Sequence, residues 1–430
     1  MGLEQPLISA VLARLAEPTV QLAAFGGVVF PIALMIEAPI IMLLAASTAL
    51  SKDRASYRKL YRFMMGAGGL LTLLHALLVF TPLYNIIVVG LLSPPPEVVE
   101  PARLGLAAIL PFTWSIAHRR FQQGVLIRFG YARAVSVGTL IRLVANVTAL
   151  GLGVLLSLTY GWPSVVVGSL GISAGVLSEM LYIRWRVRPV LRELTETATE
   201  NGDEPLTWPA FYRFYLPLAA TSLLFLLTQP LGSAALGRMP GALESLAVWP
   251  VLGGFVFVFR SLGMAYNEVV VALADEPRSL EGLRRFTWLL TFSLFAALLL
   301  IAATPLGNAW FQGVAGLDPT LAGLAQSGLW LALFWPSLSV LQNWYQGLLV
   351  HSKETASITQ SVALSLVVTG AILVGGVLWS GALGLHVGVG AFVIGSGVQV
   401  GWLWFKVQPT LGRLEARDRV RVSAEPTTQP

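Results

Sequence analysis

The chain of 430 residues has no cysteine, four histidines and few charges: Asp, Glu, Lys and Arg together make up 12% of it. Each shortage excludes something. Without Cys there is no disulfide and no thiolate metal site. With so little His, and no HExxH or His-rich tract, a metal enzyme is not expected; no Walker motif and no triad pattern appears either, so neither a primary pump, an enzyme nor a cofactor is expected. The first residues lack the basic region and cleavage site of a signal peptide, and MGLEQP lacks the Ser or Thr that myristoylation needs.

What the chain has instead is apolar surface. Hydrophobic residues make up 55% of it, where a soluble globular chain carries about a quarter charged residues. This composition excludes a soluble protein. The net charge of +6 is explained by where Lys and Arg fall along a membrane chain, so the expected partner is a lipid bilayer and not a nucleic acid.

Apolar stretches alternate with short polar breaks. Spans are expected at 20–48, 63–91, 103–127, 135–159, 163–185, 209–236, 245–273, 286–312, 321–350, 355–380 and 386–407. A further short apolar segment, 2–16, cannot by itself cross a core about 30 Å thick. Basic residues collect in alternate breaks: five in SKDRASYRKLYR (51–62), then Arg128 and Arg133, then Arg184 to Arg192, then Arg278 to Arg285, then Lys353 and the tail. The intervening breaks hold only Arg14, Arg103 and Arg238. The positive-inside rule puts the first set in the cytoplasm, with both termini there, as expected of a bacterial inner-membrane protein. The polar stretch 186–208 reads as a cytoplasmic linker and 409–430 as a disordered tail.

Part of the chain occurs twice. QPLISAVLAR (5–14) returns as QPLGSAALGR (229–238), seven of ten positions identical at an offset of 224 (229 − 5). Arg62-Phe63 returns as Arg285-Phe286, Gln123-Gly124 as Gln346-Gly347, and GSLGISAGVLSEMLYIRW (168–185) parallels GAFVIGSGVQVGWLWFKV (390–407). The offset drifts by two residues, as in a duplicated bundle. An even number of spans separates the copies, so the repeat is parallel, and transporters built this way bind substrate between the halves. The fold expected is an all-α membrane protein of about twelve spans in two six-helix bundles, 1–185 and 209–408, with the first helix truncated. About twenty residues precede QPL in the second copy and four in the first, so a start upstream of Met1 is expected.

Ionisable groups inside spans are expensive and mark function by default. Glu37 lies between Pro31 and Pro39, and at offset 223 it falls on Arg260; the two could pair across a central cleft. Glu268 lies beside Asn267, two turns beyond Arg260. His118, Arg119 and Arg120 sit within a span and Arg142 in the next, on a helix with Asn146. Their counterparts are the neutral Leu341, Gln342, Asn343 and Ser365, so one half would line its cleft with excess positive charge and the other with amides. Such a cluster suits carboxylate or phosphate; the alternative is snorkelling to lipid headgroups. Glu179 reads as pairing locally with Arg186 or with a neighbouring helix. Asn146-Val147-Thr148 matches a glycosylation acceptor but lies in a span, and the glycines of GVGAFVIGSG (388–397) read as close helix packing.

This layout resembles the MATE/polysaccharide-flippase (MOP) superfamily. FYLPLAATSLLFLLTQPLGSAAL (214–236), AVWPVLGGFVFVFRSLGMAYNEVVVAL (247–273) and GLHVGVGAFVIGSGVQVGWLW (384–404) look most like its progressive ankylosis (ANK) branch, and LAAFG (22–26), SKDR (51–54) and GVLIRFGYA (124–132) add to the likeness. The resemblance implies a secondary exporter of anions of the ATP, citrate or pyrophosphate class, working as a monomer. Substrate would meet Arg119, Arg120, Arg142, Arg260, Asn146, Gln342 and Asn343, with Glu37 and Glu268 in sodium or proton coupling. Two departures matter. The truncated first helix offers no counterpart of the acid that coupled MATE transporters place there, and Arg142 stands where animal ANK proteins carry an acid. Other readings are a lipid-linked oligosaccharide flippase, which would want an apolar lateral groove, and a drug antiporter, which would want acids in the cleft.

Overall fold

The computed structural model describes residues 4–196, 206–274, 276, 279–352, 354 and 356–424. Every regular element among them is helical. Two compact units form: one runs to Pro250 and takes in Ala315–Leu317, the other holds Val251–Val314 and the described residues from Asp318 on.

The first unit begins with α1 (Glu4–Leu12) and α2 (Pro18–Glu37), whose middle, Ala23–Val29, winds as a π-helix. Then come α3 (Leu43–Leu50), α4 (Arg54–Phe80), a π segment Asn85–Leu92, α5 (Pro96–Ala108), α6 (Leu110–Arg128), α7 (Ala132–Tyr160), α8 (Ser164–Arg186), α9 (Arg188–Glu196), α10 (Trp208–Leu236) and the start of α11 (Ala242–Leu273). The second unit takes the rest of α11, then α12 (Ser279–Ala303), a π segment Ala309–Val314, α13 (Pro319–Ala332), α14 (Trp335–His351), α15 (Ala356–Trp379) and α16 (Gly384–Ala424).

The duplication is visible in the helix ends. α1 stops at Leu12 and α10 at Leu236, the same 224 residues apart (236 − 12) as the doubled run. Expected spans 103–127 and 321–350 are each two helices, broken at Ile109 and at Leu333-Phe334. The cause is the same in both: Pro111 and Pro336 open the second helix, and a proline has no N–H to give the preceding turn. Packing repeats too. In the first unit α7 lies on α8, α6 on α8 and on α4, and α5 on α8; in the second α15 lies on α16, α14 on α16 and on α12, and α13 on α16. The recurrent Gln-Gly doublet explains itself here. A Cβ on Gly124 would stand 2.3 Å from the carbonyl oxygen of Leu44 on α3, and one on Gly347 3.3 Å from that of Asn267 on α11. Glycine lets these backbones touch, as small residues do between membrane helices.

Among the described residues ten helical stretches are long and apolar enough to cross a membrane, α13 and α14 together making one of them, and they match the expected spans except 103–127, whose α6 is too polar. Apolar side chains such as Leu155 on α7, Leu289 on α12 and Leu378 on α15 stand exposed, as a lipid-facing surface requires. The chain is a multi-pass membrane protein. Disorder was expected over 409–430; α16 continues through its first part to Ala424, where Leu411 and Leu414 join the apolar cluster of Leu403 and Val407 and Arg413 pairs with Glu354 at 2.5 Å, while 425–430 lie outside the described residues. The expected linker 186–208 lies partly outside the described residues, and its start is α9.

Candidate functional site

The most polar interior of the first unit is built around α6. This helix packs on α3, α4 and α8 at once, so its sequence SIAHRRFQQG cannot turn its charges outward. Arg119 is 1% exposed and Arg142, on α7, 9%. Neither snorkels to a headgroup.

Glu179 on α8 is the hub. Its Oε2 accepts from Arg119 Nη1 at 2.6 Å, and its Oε1 from Gln123 Nε2 at 2.8 Å. Arg119 and Gln123 are four residues apart, on one helix face, so one carboxylate reaches both. Arg142 Nη1 stands 3.8 Å from the same carboxylate. The sequence left Arg186 or a neighbouring helix open as the partner of Glu179; the partner is the neighbouring helix. The α7–α8 seam makes this possible: a Cβ on Gly175 would lie 3.1 Å from the carbonyl of Arg142, and one on Gly138 3.3 Å from Glu179 Cγ.

Arg142 has a second acid. Its Nη2 donates to Glu4 Oε2 at 2.5 Å, bringing the start of α1 onto α7. The first helix thus brings a buried acid to the cluster, Glu4. Sequence reasoning missed it because Glu4 lies at the polar edge of a short segment and has Thr228, not an acid, as its repeat counterpart. The signal that could have found it is Arg142 itself, a charge alone in an apolar span that must have a partner.

Glu37 ends α2. The turn at Pro39 frees the last carbonyls of that helix, and α10 satisfies them: Ser222 Oγ donates to the Ala38 carbonyl at 2.7 Å and Tyr215 Oη to that of Pro39 at 2.5 Å. The Glu37 side chain is buried, its Oε2 has no hydrogen-bond partner, and the charges of Arg120, Arg119 and Arg142 act on it from beyond ion-pair range. The cluster therefore holds Arg119, Arg120 and Arg142 against Glu4, Glu37 and Glu179. The expected excess of positive charge in this half is corrected to a balance, because the acids come from α1, α2 and α8 while the bases come from α6 and α7.

Within the balance the arginines differ. Arg119 and Arg142 hold carboxylates; among the described residues Arg120 makes no ion pair, and its Nε has no acceptor. Asn146, one turn from Arg142, is buried with neither amide atom bonded. His118 is buried edge-on to Tyr61 with Nδ1 unpartnered. Buried polar atoms normally find partners, so these open valences single the cluster out as the candidate site.

In the second unit Arg260 lies over the Trp335 ring, 4.5 Å from its centroid, and its Nε has no acceptor. Asn343 is committed to structure: its amide donates to the Ser339 carbonyl at 2.8 Å, and its own carbonyl accepts from Asn267 at 3.0 Å. Gln342 is half-buried and Glu268 is exposed. Among the described residues no group of His and acids could hold a metal ion.

No family model and no curated protein matches the sequence. Solved structures do. A lipid II flippase, MurJ, in an inward closed conformation superposes with a TM-score of 0.72 at 13% identity, over 97% of this chain and 89% of that one. An inward-facing multidrug resistance MATE transporter of the MOP superfamily gives 0.68 at 17%, over 97% and 95%. A MOP superfamily transporter from Pyrococcus furiosus, described as having a binding pocket of reverse polarity, gives 0.55 at 16%, over 96% and 91%. The chain has the fold of these structures.

Proposed function

We propose that this chain is a secondary transporter of a small organic or phosphate-bearing anion, working by alternating access in a bacterial inner membrane with both termini cytoplasmic. The observation that carries the reading is Arg120. It is the one arginine of the buried cluster without a carboxylate in ion-pair range among the described residues, and its planar fork suits two oxygens of a carboxylate or phosphate. Arg142 and Asn146 would complete the anion's contacts. The finer likeness to the ANK branch rests on the sequence stretches given above, and it favours the ATP, citrate or pyrophosphate class.

Coupling follows from charge balance. An anion entering a neutral buried cluster adds a charge that the low-dielectric interior penalises. Protonation of Glu37, or a sodium ion at its unpartnered oxygen, removes that penalty, so anion and cation would load together. Arg260 and Glu268 belong to the proposal as a second anion contact and a second coupling acid.

The test is efflux from proteoliposomes loaded with labelled ATP, citrate or pyrophosphate, with and without a pH or sodium gradient. Efflux that Arg120→Ala abolishes and Arg120→Lys partly keeps supports the reading. No efflux of any of the three under any gradient sinks it. Scrambling of a lipid-linked oligosaccharide in the same vesicles would then bring the flippase forward, and uptake of a cationic dye the antiporter.

A further inference from the structure

The second unit holds a cavity of about 300 Å³ between α12, α14 and the emerging end of α16, at the small end of ligand pockets. Its walls are aromatic and its mouth carries one charge of each sign. Trp344 forms the floor, buried and stacked on Tyr266 with the rings 10° from parallel. Trp288 and Trp404 flank the opening, each about half exposed. Arg284 and Glu415 face each other there with Nη1 and Oε1 3.9 Å apart, too far for a hydrogen bond and close enough for one ligand to touch both.

The depth of the cavity narrows its occupant. Arg284 lies in the basic set of breaks that the positive-inside rule assigns to the cytoplasm, and exposed Trp is the mark of a membrane–water interface. A ligand here is held at headgroup level. Its chemistry must offer an anion to Arg284 and, a few ångströms away, a cation to Glu415 and the tryptophan faces. A primary ammonium beside a phosphodiester does both. A quaternary ammonium has no N–H for the Glu415 carboxylate, and a purely anionic headgroup would meet that carboxylate with like charge.

We propose that this cavity is a binding site for the headgroup of a primary-amine zwitterionic phospholipid, phosphatidylethanolamine in chemical terms, with Arg284 and Gln408 on the phosphate and Glu415, Trp288 and Trp404 on the ammonium. Occupied, it ties α12 and α14 to the cytoplasmic end of α16. The proposal stands independently of what the chain transports.

The experiment uses the full chain in detergent, titrated with phosphatidylethanolamine, phosphatidylcholine or phosphatidylglycerol and read by native mass spectrometry and by thermal shift. The Arg284 side chain is largely exposed and that of Glu415 partly so, and both substitutions below keep a polar side chain, so the variants fold. Wild type is expected to hold phosphatidylethanolamine about tenfold more tightly than the other two, the size of one charge-assisted hydrogen bond. Glu415→Gln should erase the preference over phosphatidylcholine, and Arg284→Gln should weaken both zwitterionic lipids. Equal affinity for all three lipids, or an unchanged preference in Glu415→Gln, overturns the assignment. So does an equal thermal shift from soluble phosphoethanolamine, which would point to a free metabolite.

Discussion

Gly26 and Pro250 are counterparts in the repeat, 224 residues apart (250 − 26), and they pack on each other: a Cβ on Gly26 would stand 2.1 Å from Pro250 Cγ. The contact joins α2 to the start of α11, both in the first unit. The ring of Pro250 is rigid, so it cannot yield to an added methyl. Gly26→Ala should therefore lower the melting temperature in detergent by the equivalent of about 1–3 kcal/mol, the cost of overpacking. Adding Pro250→Gly should recover most of that loss, because it moves the missing Cβ to the other side of the same contact. An additive double variant would show that the crossing tolerates more than its geometry implies.

The Arg119–Glu179 pair offers a sharper contrast. Breaking a buried ion pair strands one charge, at about 3–5 kcal/mol, while replacing both partners by apolar residues is often tolerated. Arg119→Met and Glu179→Leu should each depress thermal stability and yield of folded protein. The double variant should regain stability over either single one. The recovery will be incomplete, since Gln123 and Arg142 also face Glu179. A double variant no better than the worse single one would mean that the pair acts through those neighbours.

Much of this fold was legible because it rests on one-dimensional signals. Apolar runs gave the spans, and the offset of 224 gave the duplication that the paired breaks before Pro111 and Pro336 now display. Arg119, Arg120 and Arg142 stood out as charges in apolar surroundings. What escaped is which charges answer them. Glu4 lies 138 residues from Arg142 (142 − 4) and Glu179 60 from Arg119 (179 − 119), and no local periodicity links such positions. Asn343 shows the reverse limit: the sequence places an amide in a span but not its bond to the preceding turn. The helical start of the tail escaped because its composition is that of a solvated segment, and what holds it is the packing of Leu411 and Leu414 and the Arg413–Glu354 pair.

Asp53 gives a prediction at the membrane surface. It is the N-cap of α4: its carboxylate accepts from the backbone of Ala55 and Ser56, at 2.7 and 2.9 Å, and from the Ser56 hydroxyl at 2.7 Å. Partial burial alone would raise its pKa, but these bonds and the nearby Lys52 charge outweigh it and hold the group below the usual carboxylate range. A depressed pKa contributes stability above the unfolded value, about 3.9, and that contribution fades as pH falls through the folded value. Asp53→Ala should cost about 1 kcal/mol at neutral pH, and the gap between variant and wild-type melting temperatures should close in acid. A gap that stays constant from pH 7 to pH 3 would show that the cap is not what the carboxylate contributes.

Glu4 makes the last prediction, which rests on the anion reading. Its carboxylate sits on the Nη2 of Arg142, where a substrate oxygen would dock, while Glu179 stands off at 3.8 Å. An internal carboxylate on an arginine fork competes with an external one for the same N–H groups. Glu4→Gln keeps the size of the side chain and weakens its hold, so citrate affinity, read by tryptophan fluorescence on purified protein, should rise about five- to tenfold, or about 1–1.4 kcal/mol. Arg142→Gln should lower it by a similar factor. The opposite sign for Glu4→Gln, a loss of affinity with unchanged thermal stability, would mean that Glu4 positions Arg142 for the anion and does not compete with it. That outcome would make α1 a support for the site and leave Arg120 as the residue on which anion recognition turns.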